Sequence, residues 1–538
     1  MPLKMRRAAA SLGGSLRGIC GARAGLAGAT VLALCLLLTA LSFYGLIGFG
    51  RGGLDTRLLA DPYFHSLLQF SFKQAGLSAL LSLLLAWPVA RALYYHPGLA
   101  LQRSFLRLCL LGFCMPTLVL ITGLVALLGR NGLLTPLLGE NWNLYGLGGI
   151  LIAHVYLNLP FAVRALLLAL QHIPDSSWRL AAQLKLGPWQ RLRLIEWPAL
   201  QISLLPLFGF IFVLCFNSFA VVLALGGGPR ATTIEVAIYQ ALKYDFNIPE
   251  ALTLAWIQLL IAGSLFLLLA RLGSAHWLGV DSARRTRAPR PAAPARTLHL
   301  LVYATAWLSL TLPILALLPG LLDADLQRFD WPAILRPALI TLILGLGAGF
   351  GALGAAYLML LPVRRARIQH QTKRALALEW LSTHTLVAPA LVLSVGLYIL
   401  LLPRLDLDRY GILLVLLLNT AVVIPFAVQQ LRPRLLQFDR HYDRLGRSLK
   451  LGVRARLAVE WRFARGACLA SLGLVMLLAM GDVAIFSIFG SADWTTLPWL
   501  IYGYAGTYRL EEASVASLLL LGLCALVLLI FERERPDA

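Results

Sequence analysis

The chain has 538 residues, 59% of them hydrophobic and only 13% charged, with a formal net charge of +22. Soluble globular chains carry about one quarter charged residues, so an ordinary soluble domain is excluded. The basic residues stand in short stretches beside apolar runs, which fits membrane topology and contact with anionic lipid and argues against nucleic acid as a partner. Seven cysteines (Cys20, Cys35, Cys109, Cys114, Cys215, Cys468, Cys524) form no C-x-x-C pair. A disulfide framework or a zinc site is therefore not expected.

In chain order, residues 1–25 are basic (Lys4, Arg6, Arg7, Arg17, Arg23) and predicted to be cytoplasmic. Apolar runs of about 20 residues span a bilayer as helices. They are predicted near 26–49, 66–90, 104–128, 147–170, 200–225 and 252–271. A cleaved signal peptide is the alternative for the first run; its length and the spans that follow favour a retained helix. The stretch 273–297 contains RRTRAPRPAAPAR, in which proline blocks helix and arginine blocks insertion, and reads as a cytoplasmic linker. Further spans are predicted near 299–321, 333–361, 380–402, 411–431, 467–488 and 513–531. The expected fold is an all-α polytopic membrane protein of about twelve helices, with repeats at 26–272 and 298–538. Loops assigned outside carry Asp55, Asp61, Glu140, Asp245, Glu250, Asp323, Asp325, Asp493 and Glu511, whereas Lys and Arg concentrate on the other side. This bias predicts both termini in the cytoplasm.

The two halves share a motif. R-L-x-x-x-L-K-L-G occurs at Arg179–Gly187 and at Arg444–Gly452, 265 residues apart, and Leu159–Val163 matches Ile424–Val428 at the same offset. Each repeat has an even number of spans, so the repeats run parallel, related by a pseudo-two-fold axis along the membrane normal. Both motifs then fall in cytoplasmic loops. In the first, Leu180 and Leu184 share a helix face and Ala181 and Ala182 are small. Gly187-Pro188 is expected to end that helix, and an amphipathic segment (Trp189, Leu192, Ile195) leads to Trp197-Pro198. Such a helix suits docking into a groove on a soluble partner. An ordinary interfacial helix is the alternative, and the duplication weighs against it. The docking set is Arg179, Ala181, Ala182, Lys185 and Gly187, with Arg444, Gly446, Lys450 and Gly452 in the second loop.

On the outer side, Gly226, Gly227, Gly228 and Pro229 are expected to break the fifth helix, and Thr232 and Thr233 to cap a short amphipathic helix with Ile234, Ile238 and Tyr239. Thr495, Thr496, Ile501 and Tyr502 repeat the pattern. These read as paired outer helices that meet a partner and close a pathway, or as plain loop packing. Asn217 and Asp482 occupy equivalent places 265 residues apart. A carboxylate inside a span costs roughly 2.5–3.5 kcal/mol and usually faces a cavity or a partner. Both residues are candidates for lining a pathway, with helix–helix hydrogen bonding as the alternative. His154, beside Asn158, reads as a packing histidine. Pro160 and Pro425 are expected to kink equivalent helices.

The loop sequence resembles the E-A-A loop of ABC-importer permeases: Ala181 matches the second alanine, Ile195 the isoleucine and Trp197-Pro198 the L-P of the motif. Arg179 stands where glutamate is usual, Leu180 where the first alanine is usual and Lys185 where glycine is usual. In the second loop Arg444 and Lys450 repeat two departures, Gly446 replaces alanine, and one residue is missing before Glu460-Trp461. Phe70–Ser82, Gly149–Pro160, Leu180–Pro198 and Cys215–Asp245 together resemble the fused two-half permease of the bacterial thiamine and thiamine pyrophosphate ABC importer. That resemblance implies the type I importer permease fold in the bacterial inner membrane, a periplasmic substrate-binding protein, and a cytoplasmic ABC ATPase, two copies of which would grip the loops. ATP and magnesium would belong to that ATPase, with no cofactor on this chain. The related iron(III) permeases share the architecture, so iron is the alternative substrate. The sequence itself has no G-x-x-x-x-G-K-[ST] loop, H-E-x-x-H or G-x-S-x-G, so neither ATP binding nor enzymatic activity is expected of it. An ion-coupled secondary transporter, which also shows repeats and midplane polar groups, and a membrane-embedded enzyme are the rival classes.

Overall fold

A computed structural model describes residues 22–49, 55–139, 141–271, 293–325, 330–386, 388–491, 493–507 and 509–533. The basic N-terminal stretch to 21 and linker residues 273–292 lie outside them, and residues 293–297 already belong to a helix. The first half contains α1 (Ala22–Phe49), α2 (Pro62–Tyr95), α3 (Gln102–Cys114), α4 (Thr117–Leu128), α5 (Leu147–Gln171), α6 (Asp175–Gln183), α7 (Pro188–Phe216), α8 (Ala220–Leu225), α9 (Ile234–Lys243) and α10 (Ile248–Arg271). The second contains α11 (Ala293–Leu315), α12 (Trp331–Ile368), α13 (Thr372–Leu381), α14 (Ala390–Leu401), α15 (Leu407–Ser448), α16 (Val453–Met480), α17 (Leu497–Gly506) and α18 (Leu510–Arg533).

Among the described residues, ten helices are long and apolar enough to cross a membrane. Of the other two expected spans, one is a bent pair, which would make eleven, and the other is represented only by a short apolar helix. Helices α3 and α4 meet at 105°, and α13 and the shorter α14 replace the span expected at 380–402. Proline sets where α4 and α14 start: Pro116 and Pro389 immediately precede them in non-helical conformation, and a proline disfavours helix in the residue before it. Helix starts follow local chemistry as well. The Asp61 side chain accepts from the Tyr63 amide and Pro62 takes the first turn of α2, while Asp330 accepts from Ala333 at the start of α12.

The first helix of each half crosses over. Helix α1 packs on α12 and α14, and α11 packs on α2 and α4. Backbones touch at the first crossing: a Cβ on Gly45 would lie 2.1 Å from the Gly396 carbonyl oxygen, and one on Gly396 would lie 1.9 Å from that of Ser42. Only glycine permits this approach. Polar contacts add to both crossings, with Thr39 3.0 Å from His384 and the Tyr156 hydroxyl donating to the Leu310 carbonyl at 2.7 Å. Helix α1 starts beside Arg365, near the second twin loop, and the chain after it reaches Thr253 of α10, which accepts from the Asp55 amide. The two twin loops therefore share one face, as parallel repeats require.

Candidate functional site

Two helices fix the centre of the molecule, and both stop early. The spans expected to run to 225 and 488 end at Phe216 and Met480, before the glycines expected to break the first. Asn217 and Asp482 sit at these two ends, where helix carbonyls and amides lose their internal partners. The Asn217 Nδ2 donates to the Leu386 carbonyl at 3.3 Å, and its Oδ1 accepts from Gln258 at 3.0 Å. Gln258 also donates to Glu235, which is buried. Burial pushes the Glu235 carboxyl up to about 7, against the lowering effect of the Gln258 bond. The Asp482 carboxylate accepts from the Ile485 and Phe486 amides at 3.5 and 3.3 Å and so caps the short turn that follows it.

A cavity of about 290 Å³ lies between the halves and is lined by both residues. Its wall includes His154, Asn158 and Phe219 from the first half and Phe426 from the second. Among the described residues, no lysine or arginine lines it. The structure thus brings together the two polar residues singled out at matched positions, in a chamber whose one carboxylate has no cationic neighbour on the wall. His154 is not fully satisfied: Nδ1 lies 3.1 Å from Ser78 Oγ, and Nε2 has no partner among the described residues. Pro160 and Pro425 both lie inside continuous helices. The described residues contain no group of three His, Cys, Asp or Glu that could hold a metal ion.

The twin loops have the same local geometry. Lys185 and Lys450 both adopt φ +48°. The Leu186 amide then reaches back to the Ala181 carbonyl (3.0 Å) and the Leu451 amide to that of Gly446 (3.1 Å), closing the helix with a left-handed residue. The expected stop at Gly187-Pro188 is therefore corrected: the lysine ends the helix, and Gly187 and Gly452 begin the next one in ordinary conformation. This explains why the family motif usually has glycine there. In both loops the small residue faces inward, Ala181 and Gly446 being buried. Arg179, Ala182, Lys185, Arg444 and Lys450 face out. So do matched leucines: Leu180 and Leu184 are 55% and 62% exposed, Leu445 and Leu449 52% and 61%. The loops differ in what leads into them. Helix α15 runs unbroken into the second loop, whereas α5 and α6 are separated at Pro174 and a groove of about 670 Å³ lies between α6 and α7.

Sequence reasoning passed over the residues that hold the loops in place. Glu196 is buried and takes the Arg91 guanidinium at 2.7 Å and the Tyr95 hydroxyl at 2.6 Å. Glu460 is buried and takes Arg364 at 2.7 Å and Tyr357 at 3.0 Å. Arg364 also grips Asp439 at 2.7 Å. In each half, then, the second helix clamps the segment after its loop with an arginine and a tyrosine. The available signal was the repeated Glu-Trp pair at 196–197 and 460–461.

At the opposite end, α9 and α17 are the expected paired helices, but their caps differ from expectation. Thr233 and Thr496 make no side-chain cap. Instead Ser71 Oγ accepts from the Ile234 amide at 3.1 Å and Thr341 Oγ1 from the Leu497 amide at 2.8 Å. The capping oxygen comes from the second helix of the half, which a local motif cannot reveal. Thr232 bonds the Gly228 carbonyl and Thr495 the Thr496 carbonyl. Gly227 and Gly228 take φ of +71° and +132°, values only glycine adopts freely, while Gly226 caps α8. Tyr239 is buried against Phe219 (ring centroids 5.1 Å), which lines the central cavity, and Tyr502 packs on Trp499 at 5.4 Å.

Residues 78–275 match the family described as binding-protein-dependent transport system inner membrane component. A thiamine transport system permease protein of Brucella abortus (strain 2308) is 37% identical over 492 residues, 90% of each chain. The chain belongs to this permease family. Proteins of the same description from Escherichia coli (strain K12) and Salmonella typhimurium (strain LT2) are 36% and 35% identical over 482 and 515 residues. They cover 88% and 94% of this chain and 89% and 96% of their own length. The likeness thus spans both repeats, and the type I importer permease is the fold of the whole chain. Membership makes this a membrane-spanning transporter component that works with an ATPase and a binding protein.

Proposed function

We propose that this chain is the permease of an ATP-driven importer for thiamine, with both termini in the cytoplasm. The observation that carries the reading is the near-complete likeness of both halves to thiamine permeases. The geometry adds the parts such a machine needs. Two loops on one face each offer an outward pair of leucines framed by an arginine and a lysine, and one ATPase subunit grips each loop. The ATPase itself carries ATP and magnesium. Its closure draws the loops together, and the Arg91–Glu196 and Arg364–Glu460 clamps pass that motion to the second helix of each half. The halves rock apart on the outer side, where α9 and α17 meet the loaded binding protein and Tyr239 and Tyr502 close the entry. Each state is selected by contacts that differ between the two arrangements.

Thiamine carries a cationic thiazolium ring. Asp482 and Asn217 line its route through the central cavity, and the absence of lysine and arginine from the wall suits a cation. The reading is tested by co-purifying the chain with its ATPase and measuring thiamine uptake into proteoliposomes that also receive the binding protein. Asp482→Asn should slow uptake while leaving ATPase docking intact; unchanged uptake and affinity would remove Asp482 from the route.

A further inference from the structure

The first-half wall of the central cavity is chemically unlike the second-half wall, and the difference points to recognition. His154 is 2% exposed, lines the cavity, and has Nδ1 held at 3.1 Å by Ser78 while Nε2 finds no partner. One turn further along α5, Asn158 lines the same cavity. Its Nδ2 donates to the His154 carbonyl at 2.8 Å and to Cys215 Sγ at 3.4 Å. A carbonyl can only accept, so the amide orientation is fixed and Oδ1 is left without a hydrogen bond among the described residues. A buried polar atom without a partner is costly, and His154 Nε2 is one, one helical turn from an Asn158 Oδ1 that makes no hydrogen bond of its own. At the 265-residue offset the second half has Asn419, Val423 and Met480 in place of His154, Asn158 and Cys215. A requirement of helix packing would recur in both repeats. A ligand without two-fold symmetry needs such a pair only once.

We propose that His154 Nε2 and Asn158 Oδ1 form a hydrogen-bonding subsite for the amino-substituted edge of an aromatic nitrogen heterocycle. This rests on the thiamine reading above: the substrate's aminopyrimidine ring carries an amino donor next to a ring-nitrogen acceptor. Asn158 Oδ1 takes an amino hydrogen. With the Ser78 hydroxyl donating to Nδ1, His154 Nε2 bears the imidazole proton and gives it to the ring nitrogen as a hydrogen bond. Asp482, across the cavity, faces the charged ring. The two ends of the substrate are thus read by different halves, and the pathway distinguishes which heterocycle passes.

The test uses the full complex in proteoliposomes, with binding protein preloaded and saturating, so that the permease step sets the rate. Thiamine is compared with its analogue bearing an oxo group in place of the pyrimidine amino group. The wild type should import thiamine roughly tenfold faster than the analogue, about the factor that one net hydrogen bond supplies. His154→Ala and Asn158→Ala should each bring that ratio towards one by slowing thiamine alone. His154→Gln, which keeps a donor, should retain part of the preference. Co-purification of the ATPase should stay at the wild-type level in all three. The subsite is refuted if the ratio is unchanged in both alanine variants, or if thiamine and analogue slow equally. Failure of the wild-type complex to import thiamine would instead overturn the proposed function, and this subsite with it.

Discussion

Arg364 should be the most consequential charged side chain outside the cavity. Its side chain is 1% exposed and bonds two carboxylates, Asp439 through Nε and Nη2 (2.7 and 2.8 Å) and Glu460 through Nη1 and Nη2 (2.7 and 2.8 Å). Those acids are 6% and 3% exposed. Arg364→Met keeps much of the volume, takes the arginine from two buried carboxylates at once and leaves Glu460 only the Tyr357 hydroxyl. Removing one partner of a buried pair costs about 3–5 kcal/mol. Arg91→Met is the comparison: Arg91 is 26% exposed and Tyr95 remains on Glu196, so water relieves part of the loss. Reversible unfolding in mixed micelles, with Asp439→Asn and the double variant completing a cycle, measures both the loss and the coupling. An Arg364→Met loss under about 1 kcal/mol, or one no larger than that of Arg91→Met, would refute the assignment of this cluster as the anchor of the second loop.

Lys185→Gly and Lys450→Gly should each stabilise the protein slightly, by at most about 1 kcal/mol, because the left-handed residue no longer carries a Cβ; thermal unfolding checks this, and uptake should persist. Replacing Leu180 and Leu184 by serine, or Leu445 and Leu449, should weaken co-purification of the ATPase without altering the thermal stability of the chain, since these side chains are exposed. Glu235 holds its proton to about pH 7 in the folded chain but only to 4.5 when exposed. The unfolded chain therefore binds fewer protons between those values, and stability falls as pH rises through that window, by on the order of 3 kcal/mol. Glu235→Gln should flatten this fall, seen in unfolding at pH 5 and pH 8, while keeping the contact with Gln258.

Periodicity and charge made the architecture legible: the all-α membrane fold, the parallel repeats and the shared face of the loops follow from apolar runs, loop charges and one duplicated motif, whereas the expected twelve spans are ten or eleven among the described residues. Helix ends were less so. The stop at Asn217 and Asp482 has no proline or glycine break beneath it in the first half, and the side chain there finds partners on α10 and on the segment before α14. Contacts of that kind join residues far apart in sequence. The same is true of Ser71 and Thr341 as caps and of the Arg91 and Arg364 clamps. The crossing of α1 onto the second half was hidden for the same reason, although Gly45 and Gly396 hold it. His154 was read as a packing residue because a lone histidine in an apolar run usually is one; only the cavity it lines and its unpartnered nitrogen together give it another role.

Reconstitution of the chain with its ATPase and binding protein, followed by radiolabelled thiamine accumulation, tests the central claim most directly. Accumulation should require ATP hydrolysis and an intact leucine pair on each loop, and should survive a protonophore. Uptake that proceeds without the ATPase, or collapses when the proton gradient is dissipated, would contradict it.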